Sequence, residues 1–408
     1  ICRSCAERGG RERIREMEPH TPLHGVRVIE HAGGVAAAWA GRLLAAMGAE
    51  TVMVEPPALS PLRREPPLLS PESQESALFA YLAAGKRSVI CDLETAAGRA
   101  DFDRLAAGAD ILIDDTPLAA RAALGLDGDG VSRRHPHLVH LSVLPFGAAG
   151  PKAGWSGSEI NLVHAGGEGF LLPNGLSADL FPDRPPLKIA GHFAEMQGGI
   201  AAALGALSAL WSDHGQFVDI SVQDANVAVG CFAVQRYGDG SVEHRSTRSF
   251  RYGGVIECRN GHVELLTLEE RQWQGLVELM GRPGWAHEEG MDDPALRSQR
   301  GAFINARIQE WARGQDVADL VARAQELGVP MARYNTPGQI VSGAHETARG
   351  LFAAVEVPGF GALPIQAAPF RFGPDSLPVR GSAPAAGADQ ALLGNGWGNA
   401  AQKTRAIA

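Results

Sequence analysis

A short β-prone run, Val26-Arg27-Val28-Ile29-Glu30, leads through glycines into an alanine-rich helical stretch to Met47, then Gly48 and a second run, Thr51-Val52-Met53-Val54. Strand, glycine turn, helix and strand within about thirty residues is the pattern of a right-handed βαβ unit, which forces its two strands to lie parallel in one sheet. The pattern recurs downstream. Ser88-Val89-Ile90-Cys91 reads as strand, Ala96 to Ala107 as helix, and Ile111-Leu112-Ile113 and Leu138 to Val143 as strands. The expected fold class is therefore α/β, with an open parallel sheet.

The 408 residues leave room for more than this one domain. Pro56 to Pro71 is rich in proline and without periodicity, so it reads as a loop. The stretch from Met196 to Trp211 carries small and apolar residues on all sides, which predicts a helix buried all round or packed closely on a partner. Val218 to Val222 then alternates as a strand. Beyond about residue 240 the character changes: Val255 to Cys258 and His262 to Leu266 flank a turn at Arg259-Asn260-Gly261. Apolar residues at Ile304, Ile308 and Trp311, and at Val317, Leu320, Val321 and Ala324, recur at helical spacing. The expected organisation is a polar leader over 1–20, a large domain over 21–235, a smaller α+β domain over 236–330, and a return segment to the large domain over 331–408.

Charge narrows the partners. A net charge of −9 provides no basic stripe for a phosphodiester backbone, so nucleic acid is not an expected ligand. The longest uncharged apolar runs, Ile200 to Trp211 and Val227 to Val234, are shorter than the roughly 20 residues of a bilayer span, so no membrane helix is expected. Five cysteines, at positions 2, 5, 91, 231 and 258, show no framework spacing, and reduced thiols in a cytoplasm fit them best. Cys2 and Cys5 form one C-x-x-C, but no second pair or histidine couple follows at zinc-ligand spacing, and no metal is expected.

Several stretches together resemble the family III CoA-transferases, which include formyl-CoA transferases, carnitine CoA-transferases and α-methylacyl-CoA racemases. They are Leu23-His24-Gly25-Val26-Arg27-Val28-Ile29-Glu30 leading to Gly48-Ala49-Glu50-Thr51-Val52-Met53-Val54-Glu55; Gly85-Lys86-Arg87-Ser88-Val89-Ile90-Cys91-Asp92-Leu93; and His135-Pro136-His137-Leu138-Val139 with Phe146-Gly147 and Gly150-Pro151. Most specific is Gly215-Gln216-Phe217-Val218-Asp219-Ile220-Ser221-Val222, and Arg380 with Ala383-Pro384 extends the likeness toward the C-terminus. The resemblance implies a large Rossmann-like domain and an interlocked homodimer of ring-like subunits, with acyl-CoA and a carboxylic acid as substrates. Some transferases of the family resemble paired subunits, which leaves a heteromeric partner as an alternative.

The family's nucleophile is an aspartate four residues before a glycine at the start of the small-residue helix. Counting back from Gly199 and Ala209-Leu210 puts Glu195 there, an acid one methylene longer. A carboxylate can attack an acyl thioester, release the CoA thiolate and recapture it as an enzyme-bound thioester. A helix N-terminus would favour its ionised form. His192 and Glu159 are the neighbouring alternatives, and Asp183 lies too far upstream to align. His192 would act as general base if the reaction were proton abstraction beside the thioester. The racemase branch places its base in a glycine-histidine-aspartate-isoleucine-asparagine motif, and here the stretch is Gly157-Ser158-Glu159-Ile160-Asn161, with serine in the base's position. For the phosphates of coenzyme A the resemblance points to Lys86, Arg87 and Arg63 or Arg64, with Gly147 near the thioester end. The family's glycine-proline after the first strand is Ala37-Ala38 here.

Overall fold

A computed structural model describes residues 21–171, 187–212, 214–230, 252–372 and 377–397, together with Asp183 and Val234. The leader expected over 1–20 lies outside the described residues. The chain divides into two compact units, one from 1–163, 190–229 and 344–408, the other from 164–189 and 230–343.

In the first unit β1 (Arg27–His31), β2 (Glu50–Glu55), β3 (Arg87–Ile90), β4 (Ile111–Asp114), β5 (Val139–Leu144) and β6 (Phe217–Ser221) form one sheet in the order β3-β2-β1-β4-β5-β6. All five pairings are parallel. This is the doubly wound order, with its topological switch between β1 and β4. The crossover from β1 to β2 is α1 (Val35–Ala46), every residue of which is buried. Helices α2 (Ala77–Leu82), α3 (Ala96–Ala106), α4 (Leu118–Leu124) and α5 (Gly128–Arg134) provide further crossovers, and α6 (Glu159–Ala165) follows β5. Apolar residues of the central strands, among them Ile29, Val52, Leu112 and Leu141, are fully buried, as strands covered on both faces require.

Between β5 and β6 runs α7 (Phe193–Trp211), which begins three residues before the stretch read from sequence. It is not buried all round. Gly198, Gly199, Ala202, Ala203, Ala206 and Ala209 are buried, while Ile200, Leu204 and Trp211 are 48%, 64% and 75% exposed. Its 19 residues have the length and apolarity of a membrane span, but the small-residue face lies against α1 in the core of this unit. After β6 comes α8 (Val222–Val229).

The second unit holds a three-stranded antiparallel sheet, β7 (Gly254–Cys258), β8 (Gly261–Leu265) and β9 (Met331–Arg333), with α9 (Glu270–Leu279), α10 (Gly301–Ala312) and α11 (Val317–Glu326). The hairpin forms at the turn read from sequence. Trp273, Leu276, Ile304, Ile308 and Leu320 build its core, so the helical spacing marked the buried stripe. Met331 to Arg333, placed by sequence at the start of the return segment, instead pairs with β8. In the first unit again, β10 (Phe352–Val357) and β11 (Gly361–Gln366) form a hairpin, and α12 (Ala391–Asn395) packs beside α3.

The approach of α7 to α1 rests on glycine. A Cβ on Gly199 would lie 2.6 Å from the Ala36 carbonyl oxygen and 2.8 Å from Trp39 Cδ1. Backbone cannot yield as a side-chain tip does. Gly199→Ala is therefore expected to destabilise the protein by about 1–3 kcal/mol, the ordinary cost of overpacking. Urea unfolding of the variant against wild type checks this, and an unchanged midpoint would show that the helices can separate freely.

Candidate active site

The N-terminus of α7 is built by three segments of the first unit. Gly191, at φ +83°, turns the chain into the left-handed region that favours glycine, and His192 takes the N-cap position. Its ring makes no capping bond to the helix. The first-turn donors go to Glu159 instead: Ala194 N–H donates to its Oε1 at 3.0 Å and Glu195 N–H to its Oε2 at 3.1 Å. Glu159 is itself buried, at the start of α6. A carboxylate here meets both the unpaired donors and the positive end of the helix. From α8, the buried Asn226 donates through Nδ2 to the carbonyls of Ala194, at 3.0 Å, and Val222, at 2.7 Å.

Glu195 thus sits in the first helical turn, its backbone fixed from both sides and its side chain 20% exposed. His192 Nδ1 lies 2.6 Å from Glu195 Oε2, and the imidazole is 23% exposed. An ionised carboxylate only accepts, so Nδ1 carries the proton in that contact. The structure brings Glu195, His192 and Glu159, the three candidates weighed at this position, into one cluster. Asp183 is an exposed turn residue of the second unit.

The cations read as phosphate ligands are mostly neutralised within the fold. Lys86 is a correction: its side chain has no exposure, and Nζ donates to Glu30 Oε2 at 2.6 Å and to the Ala38 carbonyl at 2.8 Å. Burial pushes both groups toward their neutral forms, the Glu30 carboxyl up to about 7 and the Lys86 ammonium down, against their mutual attraction. A phosphate outside the fold cannot reach that ammonium. Arg63 forms a bidentate pair with Glu55, at 2.7 Å on each arm, and stacks its guanidinium 4.4 Å from the centre of the Phe79 ring. The same carboxylate accepts from Ser88 Oγ at 2.6 Å. Arg87 donates to Asp389 at 2.9 Å and to Glu50 at 2.5 Å, although it keeps 37% side-chain exposure. Arg64 alone of the four is exposed, and its side chain makes no hydrogen bond or ion pair with the described residues. Gly147, at φ +79°, turns the chain after β5, where a Cβ would press within 3.3 Å of the Asp219 carboxylate.

Sequence reading missed a further anion site. At the switch point the Asp115 carboxylate accepts from Gly33 N–H, at 3.0 and 3.1 Å, and from Gly34 N–H at 2.7 Å, immediately before α1. Burial pushes Asp115 up to about 6, against the pull of those two donors. The position that accepts a phosphate in dinucleotide-binding relatives of this topology is filled here by the chain's own carboxylate. The signals for the internal pairs were Glu30 and Glu55, each a carboxylate directly after an apolar run, Val28-Ile29 and Val52-Met53-Val54, where burial demands a partner.

The profile of CoA-transferase family III matches residues 23–390. The chain belongs to CoA-transferase family III. It is 31% identical over 326 residues to a probable CoA-transferase of Mycobacterium tuberculosis, a match covering 78% of this chain but only 40% of that longer protein. It is 29% identical over 316 residues to a subunit of the succinyl-CoA:(R)-benzylsuccinate CoA-transferase of Thauera aromatica, covering 74% and 76% of the two chains. The crystal structure of a CaiB/BaiF family protein from Brucella suis superposes with a TM-score of 0.80 at 26% identity, over 92% of this chain and 98% of that one.

For this member of the family, the Lys86 environment predicts a structural phenotype. Lys86→Ala leaves Glu30 buried without its partner and is expected to cost about 3–5 kcal/mol of stability. Chemical denaturation measures it. Normal stability with a selective loss of CoA affinity, read by calorimetry, would return Lys86 to the ligand site.

Proposed function

We propose that the chain moves coenzyme A between carboxylic acids, with the Glu195 carboxylate as nucleophile. The observation that carries this is a Glu195 carboxylate in the first turn of α7, partly exposed and with its backbone N–H held by Glu159, at the position where the sequence resemblance expects a nucleophile. The chemistry suits a carboxylate. A Glu195 oxygen attacks the acyl thioester carbonyl, the C–S bond breaks, and CoA leaves as thiolate from a mixed anhydride. The thiolate then attacks the glutamyl carbonyl, expels the first carboxylate and forms a glutamyl-CoA thioester. The acceptor acid attacks that thioester, and the thiolate returns to the new acyl group, regenerating Glu195. Charge balances at each step without net proton transfer, so no general base is required.

Relatives named as succinyl-CoA transferases, and one named as a succinate–glutarate CoA-transferase, support a dicarboxylic donor class. The free cation Arg64 and the turn at Gly147 remain the proposed contacts for the CoA phosphates and the thioester end, with the partly exposed Arg87 as a further phosphate contact. Glu195→Gln preserves size but removes the charge, so it is expected to abolish the enzyme-bound thioester while leaving CoA affinity nearly unchanged. Mass spectrometry after incubation with succinyl-CoA reads the adduct. Undiminished transfer by the Gln variant would remove Glu195 from the mechanism. A second reading, a non-catalytic subunit, has support in the relative from Thauera, itself named as a subunit. It is favoured if neither wild type nor Glu195→Asp forms an adduct. An isomerase has weaker support, because Ser158 stands where the racemase motif has its histidine.

The assembly is proposed to be a cytoplasmic homodimer, and the exposed Ile200, Leu204 and Trp211 of α7 give it an apolar surface to cover. Sedimentation at micromolar concentration is expected to give twice the 43.0 kDa chain mass. A stable monomer would count against the interlocked arrangement.

A further inference from the structure

Replacing aspartate by glutamate at a nucleophile position adds one freely rotating bond, and a reacting oxygen misplaced by about 1 Å can lose about a hundredfold in rate. Something must hold the longer side chain. Two of the usual donors at a helix start are taken, since Ala194 and Glu195 N–H both donate to Glu159. The contact that remains on the Glu195 carboxylate is His192 Nδ1, at 2.6 Å from Oε2. It is a direct hydrogen bond to the carboxylate. His192 is well suited to it, because as N-cap residue its ring makes no capping bond to the helix backbone and stands three residues from Glu195.

We infer that His192 is the positioning residue of Glu195, compensating in this chain for the extra methylene and selecting which carboxylate oxygen reacts. This rests on Glu195 being the nucleophile. Nδ1–H holds Oε2 and leaves Oε1 to attack the thioester carbonyl. Once Oε1 is acylated, Oε2 is the carbonyl oxygen of the anhydride, and later of the glutamyl thioester. Each attack on that carbonyl drives negative charge onto Oε2, where the same N–H is already placed to receive it. The proton stays on the imidazole throughout, so the ring acts as a hydrogen-bond donor, not as the base that a proton-abstraction reaction would need.

The test has a structural and a kinetic arm. In 15N NMR of the full chain, the His192 Nδ1 resonance is expected to show a strongly hydrogen-bonded proton, lost in Glu195→Ala; an identical spectrum in the variant overturns the clamp whether or not the protein turns over. Kinetically, His192→Ala is expected to lower kcat for transfer from succinyl-CoA by about ten- to a hundredfold, with KM changed by less than about twofold. His192→Asn, which keeps a donor near the Nδ1 position, is expected to recover part of the loss. The deciding variant is Glu195→Asp, whose shorter carboxylate does not depend on the clamp: adding His192→Ala there is expected to cost under about threefold, so the two changes are strongly non-additive. Equal losses in both backgrounds would mark His192 as merely structural, and no loss in wild type would end the proposal. Glu195→Gln separates the two levels, since full transfer by that variant overturns the nucleophile assignment and the clamp with it, whereas an inactive Gln variant beside an unaffected His192→Ala overturns the clamp alone.

Discussion

Two helices more than a hundred residues apart in sequence share one close face, and the arrangement of the large unit depends on it. α7 meets α1 through Gly199 and a row of alanines, with no room for one more carbon at the crossing. Burial of such small side chains yields modest hydrophobic energy per residue. Close backbone approach makes up for it through many dispersion contacts. The consequence is positional: α1 is anchored between β1 and β2, so the start of α7, with Glu195, is held by the centre of the sheet rather than by a loop. Asn226 and Glu159 secure the same turn from either side.

A second constraint is electrostatic. An acidic chain proposed to take an anionic substrate would be expected to keep its cations available. This one neutralises most of those near the sheet internally, Lys86 on Glu30, Arg63 on Glu55, and Arg87 on Glu50 and Asp389. Asp115 does the converse, bringing a carboxylate to the backbone donors before α1. The buried members of this network knit β1, β2, β3 and the C-terminal segment together. Removal of one partner strands the other in a medium of low polarity, which is why such groups occur in pairs.

The order and type of elements were legible because they follow from local rules. Alternating strand and helix patterns with glycine at the turns specify a parallel sheet, and the helical stripe at Ile304, Ile308 and Leu320 specifies a buried face, whatever lies elsewhere in the chain. Local rules were weaker at boundaries. The small-residue stretch starts as a helix at Phe193 rather than Met196, and Met331 to Arg333 joins the small sheet because β8 has an edge to pair, which no local pattern reports.

The sequence by itself determined the fold class, the family likeness and the acid proposed as nucleophile, since each depends on residue identity and spacing along the chain. Only the tertiary structure decided what those residues do. It made Lys86, expected as a phosphate ligand, half of a buried pair, made Glu159 the cap of another helix, and set the His192 ring on the Glu195 carboxylate. The reason is range: propensity and periodicity act over a few residues, whereas the state of a charged group is set by what lies within a few ångströms in space, and here Lys86 and Glu30 are 56 residues apart in the chain.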